Sequence, residues 1–364
     1  MVMTMSLSDK EIYMNATNVV TLDPVVVDTP VFGLEAANIR LPELGIAFPA
    51  IHCANPGKYA GLVPAAPLNY VVPAMECKKA LIWASSPSMR QSLLLRGETG
   101  TGKTELVTYL AARLGIPLAR VECHGSMTPD ILDGGVRLLP NPQGDGVITK
   151  YVLSDIMKIY RDGGWILFDE VDKVSDEVTS RLHAICDGKS VTIPETGEVI
   201  DKHPNTRVWG TSNTIGDGTS VRYLSSRPLD AAFRARWAGI EVKYLPASEE
   251  LRMLEMAFPR FKKGFLTAMV RLANECRDAA LGPERDGNID RPMDSIYSTR
   301  AQRNVLEAAM AFGSKTPLIE AINFAYRDML SQADREVFDG ICQRILGMNL
   351  STDLTTTGDL NNTL

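Results

Sequence analysis

The 364-residue chain contains no apolar run near the ~18 residues that a membrane-spanning helix needs. Its opening, MVMTMSLSDKEIYMNATNVV, lacks a basic start and an apolar core, so a secretory leader is not expected. The six cysteines lie far apart with no CxxC pair, which excludes zinc-finger spacing. They are expected to be reduced and mostly core, as in a cytoplasmic protein. The four histidines (His52, His124, His183 and His203) share no ligand spacing, so no resident metal site is expected from them. No local Ser-His-Asp signature and no internal repeat is present. An excess of basic charge is missing as well. Lys and Arg number 38 against 44 Asp and Glu, and the net charge of -6 argues against a dedicated nucleic-acid binder.

What is present is a soluble-type composition long enough for two or three domains. Residues 1–65 are rich in Pro, Gly and isolated apolar residues and read as an N-terminal extension with a few short strands. Residues 70–83 have the spacing of a helix. Strands and helices then alternate: strands at 93–95, 118–123, 165–168, 207–210 and 240–244, and a helix at 104–114 stopped by Gly115. This alternation predicts an α/β core, a parallel sheet flanked by helices, over 66–246. Two segments interrupt it as expected β-hairpins, 134–149 around PNPQGDG and 191–200 around ETGE. The second hairpin, with apolar arms and a polar tip, is expected to touch a partner or line a pore. From Pro246 the pattern is helical, giving a C-terminal helical lid over 247–350. The polar residues 351–364 form an expected flexible tail.

Five stretches carry chemistry. GETGTGKTEL begins at Gly97, and Gly97, Gly102, Lys103 and Thr104 fit GxxxxGK[ST] between a strand and a helix. Glycines let backbone N–H groups face a phosphate, and Lys103 reaches the β- and γ-phosphates. Gly97, Glu98, Thr99, Gly100, Thr101, Gly102, Lys103, Thr104 and Glu105 are therefore the expected ATP-binding set. WILFDE, residues 165–170, is a buried strand ending in two acids. Asp169 and the Thr104 hydroxyl are the expected Mg²⁺ ligands, and Glu170 the base that polarises the attacking water. Asp172 is read as structural or a surface charge. WGTSNT, residues 209–214, ends a strand on Asn213, whose amide can orient water beside the γ-phosphate. PLDAAFRARW, residues 228–237, offers Arg234 and Arg236, either of which can neutralise transition-state charge in a neighbouring copy. Arg300, in YSTRAQ at the start of a lid helix, is the candidate that reaches back over the γ-phosphate.

This order of elements resembles the AAA+ ATPases, and the two hairpins resemble those of the MoxR-like branch. VFGLEAANIRLPE near residue 31, VIDKHPNTRVWGTSNTIGDG at 199–218, ARW at 235–237 and EAINFAYRDMLSQADREVFDGICQRILG near the C-terminus are similar to the ATPase small subunit of aerobic cobaltochelatase. The resemblance implies sensor-1 and sensor-2 roles for Asn213 and Arg300 and an arginine-finger role for Arg236. It implies a homo-oligomeric ring, expected to be a hexamer, which works on a von Willebrand factor A-domain partner during cobalt insertion into a corrin. Three positions depart from that pattern. Glu98 and Thr99 stand where His and a small residue are common, and Glu122 stands where an amide is common that restrains the catalytic Glu. A MoxR-like chaperone or a phage or defence remodelling factor with another partner, and a nucleotide-dependent assembly scaffold, are the alternative readings; Glu170 argues against the scaffold.

Overall fold

The computed structural model describes residues 34–41, 46–53, 55–86, 88–141, 146–213, 231–282, 292–313 and 318–347. An antiparallel pair, β1 (Leu34–Leu41) and β2 (Ile46–Cys53), precedes α1 (Ala74–Ser85). This helix starts four residues later than its spacing predicts. Pro73 lacks an N–H and biases Val72 away from helical backbone, so residues 70–73 stay outside.

Next come β3 (Ser92–Arg96), α2 (Lys103–Leu114), β4 (Leu118–Glu122), α3 (Pro129–Asp133), β5 (Gly134–Pro140) and β6 (Val147–Leu153). Then follow α4 (Asp155–Asp162), β7 (Gly164–Asp169), α5 (Asp176–Asp187), β8 (Val191–Thr192), β9 (Val199–Ile200), β10 (Thr206–Ser212), α6 (Ala231–Arg234) and β11 (Trp237–Glu241). Five of these strands form one sheet in the order β11-β3-β10-β7-β4, and every neighbouring pair is parallel. Parallel strands need crossover connections, here mostly helical, and β7 and β10 are buried along their whole length. The last strand spans Trp237–Glu241 rather than 240–244. Its register with β3 runs from Trp237 opposite Ser92 to Glu241 opposite Arg96, and the ladder stops where β3 stops.

Tryptophan organises the sheet. Trp209 lies 4.8 Å from Trp83 and 4.7 Å from Trp165, centroid to centroid. Its neighbour Gly210 has no room for a side chain, because a Cβ there would sit 2.9 Å from the Trp237 ring. Both expected hairpins form: β5 pairs with β6 and β8 with β9. The tip at 142–145 lies outside the described residues, as does the tail at 351–364.

The described residues of Met1–Pro67, Ala74–Arg96 and Thr104–Glu241 make one compact unit. Those of Leu68–Pro73, Gly97–Lys103 and Val242–Leu364 make a second. The second carries α7 (Ala247–Ala257), α8 (Lys263–Leu281), α9 (Thr299–Phe312), α10 (Leu318–Ala325) and α11 (Gln332–Leu346). Its core is aliphatic and aromatic, with Leu254, Met269, Tyr297, Leu306 and Phe338 fully buried. Ser298 and Ser331 cap α9 and α11 by accepting the amides of Ala301 and Asp334. No helix among the described residues is long and apolar enough to cross a membrane.

Candidate functional site

In the first unit the sheet register sets Glu122 opposite Asp169 and Ser212 opposite Arg96. The carboxyl ends of β4, β7, β10 and β3 thus share one edge, the edge at which open α/β sheets bind ligands. Asp169 is buried there. One of its oxygens accepts the Thr104 hydroxyl at 2.8 Å and the Thr211 hydroxyl, and the other accepts Arg120 at 2.5 Å. Thr104 and Asp169, the two residues expected to hold Mg²⁺, therefore touch.

Glu170 has left-handed backbone, φ 57° and ψ 48°, which costs a non-glycine residue about 1–3 kcal/mol. The turn is held because its amide donates to the Thr211 hydroxyl at 2.9 Å. It swings the carboxylate to Lys173, which donates at 2.6 Å, and to the Asn213 side-chain amide, which donates at 3.1 Å. Asn213 is thus brought to Glu170. Glu122 is exposed, and the groups that hold Glu170 are Asn213 and Lys173. Asp172, read from the sequence as structural or a surface charge, is fully buried.

Arg234 is exposed at the end of α6. Arg236 lies 2.8 Å from Asp187 of α5 and donates to the Ala232 carbonyl at 2.6 Å. Three residues in this unit were not read as candidates: Arg120, Thr211 and Lys173. The i,i+3 spacing of Lys173 from Glu170 was a usable signal. Arg120 and Thr211 reach Asp169 only through strand register, which a single sequence does not display.

In the second unit the stretch Gly97–Lys103 curls tightly. Gly97 has φ 152°, and a Cβ there would lie 2.1 Å from the Val242 carbonyl oxygen. Gly100 has φ 73°, and its Cβ would fall 2.7 Å from Ser298 and 3.7 Å from the Cβ of Arg300. Only glycine fits either position. The start of α9 therefore packs on this loop, which brings the exposed Arg300 beside it. Lys103 is buried, and its ammonium donates to the carbonyls of Gly97 and Glu98 at 2.8 and 2.9 Å. The Thr101 hydroxyl donates to the Glu98 carbonyl at 2.9 Å and the Tyr244 hydroxyl to the Thr99 carbonyl at 2.6 Å. A curled glycine loop with a cation at its centre suits an anionic phosphate.

The paired oxygens of Thr104 and Asp169 suit a hard divalent cation. No group of three or more His, Cys, Asp or Glu able to hold a metal occurs among the described residues. A Mg²⁺ ion here would complete its shell from water and substrate phosphate, its usual habit. The six cysteines are free and buried, and burial pushes the Cys186 thiol up to about 12, which leaves it inert.

The parallel sheet, the two small antiparallel hairpins and the C-terminal helices match a P-loop AAA+-like fold. Residues 92–237 match the family described as AAA domain (dynein-related subfamily). Midasin from Dictyostelium discoideum is 29% identical over 188 residues, covering 51% of this chain and 3% of midasin. An uncharacterized protein from Staphylococcus haemolyticus is 29% identical over 159 residues, covering 43% of this chain and 57% of the relative. The chain thus spans only part of the curated relatives it matches. A crystal structure of a Cytophaga hutchinsonii protein aligns over 77% of this chain and 82% of its own at 19% identity and a TM-score of 0.39, too distant to bear on function.

Proposed function

We propose that the chain is a Mg²⁺-dependent ATPase that assembles as a ring of six copies and uses hydrolysis to remodel a partner protein. The observation that carries this reading is the meeting of Thr104 with Asp169 at 2.8 Å, with the adjacent Glu170 held by Asn213 at 3.1 Å. A nucleotide switch needs the first pair, whereas a hydrolase also needs a positioned base. Residues 66–246 serve as the ATPase core, 247–350 as the lid, 1–65 as an extension and 351–364 as a tail.

The roles follow from the chemistry of each group. Lys103 and the amides of Gly97–Lys103 bind the β- and γ-phosphates of ATP. Thr104 and Asp169 hold Mg²⁺, which neutralises phosphate charge when bound. Glu170 accepts a proton from the attacking water. Asn213 lets go of Glu170 to orient that water. Arg300 lies over the γ-phosphate, and Arg236, or its neighbour Arg234, acts on the nucleotide of the next copy.

Within this reading the chain belongs to the MoxR-like branch, with a von Willebrand factor A-domain partner and the cobaltochelatase as its working complex. Support for that narrower assignment comes from the sequence stretches at 31, 199–218 and the C-terminus. The six buried free cysteines suit a cytoplasmic setting.

Two substitutions test the core of the proposal. Lys103→Ala should lose ATP binding in a fluorescent-analogue titration, because it removes the cation at the centre of the loop. Glu170→Gln should bind as wild type and lower phosphate release by about 10²–10⁴-fold, the range of a general base. Wild-type affinity in the first variant, or wild-type turnover in the second, overturns the assignment.

A further inference from the structure

Thr99 of the glycine loop is tied to the start of α9 by a chain of buried and half-buried polar groups inside the second unit. The Tyr244 hydroxyl donates to the Thr99 carbonyl at 2.6 Å. The Tyr244 ring carries the Arg277 guanidinium 4.1 Å above its centroid. Arg277 donates to both oxygens of Glu250 at 2.7 Å, and neither side chain is more than 5% exposed. The same guanidinium donates to the Tyr297 carbonyl and the Thr299 hydroxyl, each at 3.2 Å. Thr299 in turn donates to Glu250 at 3.0 Å. Tyr297 and Thr299 bracket Ser298, the cap of α9, and Arg300 follows.

A buried ion pair is a weak source of stability, because desolvation offsets most of its attraction. A hydrophobic pair of equal volume would serve the core as well. This pair instead spends its donors on the residues flanking a helix start. The guanidinium is planar and its N–H donors form a rigid fork, so together with the Tyr244 and Thr299 hydroxyls it holds the start of α9 at one height relative to Thr99.

We propose that Tyr244, Arg277, Glu250 and Thr299 are positioning residues that couple the glycine loop to Arg300, so that the loop's nucleotide state sets where Arg300 stands. The proposal rests on the ATPase reading above. Its content is that Tyr244 acts on turnover through Arg300 and not through general stability. Arg300 is 3.7 Å, Cβ to Cβ position, from Gly100, so small rotations of α9 move its guanidinium across the phosphate region.

The test is a kinetic cycle on the full chain with ATP and Mg²⁺. Tyr244→Phe keeps the ring under Arg277 and removes only the hydroxyl. It should lower kcat about tenfold and leave KM within about twofold, as expected for an interaction realised mainly in the transition state. Thr299→Val, at the far end of the network, should do the same and guards against misfolding of the first variant. In an Arg300→Ala background, both substitutions should have less than about a twofold further effect. Fold-losses that simply multiply with that of Arg300→Ala would overturn the coupling and leave a structural role. Unchanged kcat in both single variants would overturn it too. A wild-type chain that binds ATP yet shows no such cycle overturns the network alone, whereas one that binds no ATP overturns the reading beneath it as well.

Discussion

Two glutamates show how differently the two units handle charge. Glu170 in the first unit has a side chain 30% exposed and holds one lysine and one amide as partners. Glu250 in the second unit is fully buried, with both oxygens on one guanidinium. A carboxylate that still sees water exchanges partners at little cost, since exposed pairs contribute about 0–1 kcal/mol. A desolvated pair that loses one member leaves a bare charge in low dielectric. The first arrangement suits a group that must change partners during a reaction. The second suits a fixed joint. The same contrast appears in the backbone. Glu170 sits in a left-handed turn held by Thr211, while Glu250 lies within the first turn of the regular helix α7.

The largest expected effect extends the exposed case to the arginines. Arg236 rests on Asp187 at 2.8 Å with both side chains about a quarter exposed, so it too can leave its partner cheaply. Under the proposed function, Arg236→Ala should keep ATP affinity and lose turnover by about 10³–10⁵-fold. Mixing it with Lys103→Ala chains, which keep their arginines, should restore part of the activity. Mixed assemblies verified by native mass spectrometry that stay inactive would show that Arg236 acts within its own chain.

A direct attack on the buried case is Glu250→Ala. It strands Arg277 and should destabilise the second unit by about 3–5 kcal/mol, read from the urea midpoint. Glu170→Ala at the half-exposed counterpart should shift that midpoint little. Equal losses for the two would erase the contrast.

The smallest effect concerns a cation between these extremes. Burial, with help from the Arg207 guanidinium, lowers the Lys202 ammonium to about 8. Below that pH the group is protonated in both folded and unfolded chains, and the burial penalty is complete. Between about 8 and the ordinary lysine value of about 10.4 the folded chain releases its proton first, so stability should rise with pH across that window. Lys202→Met should remove the penalty and stabilise the protein at pH 7 by on the order of 1–3 kcal/mol. It should also flatten the rise between pH 8 and 10. A wild-type stability that falls over this window contradicts the sign of the shift.

The legible features are those with local causes. SLLLR at β3, WILFD at β7 and VWG within β10 are apolar runs of strand length, and they became buried strands in a parallel sheet. The loop GETGTGKT was readable because close backbone approach admits only glycine at Gly97 and Gly100. The early start drawn for α1 was avoidable, since Pro73 is in the sequence and its consequence for Val72 is steric. The late position drawn for β11 was not avoidable, because that strand ends where its partner β3 ends. Asp172, read as structural or a surface charge, is fully buried; which of the two applies depends on what packs over an acid one turn past a strand.

By itself the sequence determined the alternation of strands and helices, the glycine loop, the acids at the end of β7 and the stop of α2 at Gly115, since each depends on residues within a few positions of one another. Only the tertiary structure decided that Thr104, Arg120 and Thr211 converge on Asp169, that Asn213 holds Glu170, and that Tyr244, Arg277 and Glu250 join Thr99 to α9. Most of these contacts link residues tens of positions apart. Strand register and helix packing set them, and both are settled by the burial of the whole core rather than by any neighbouring residue.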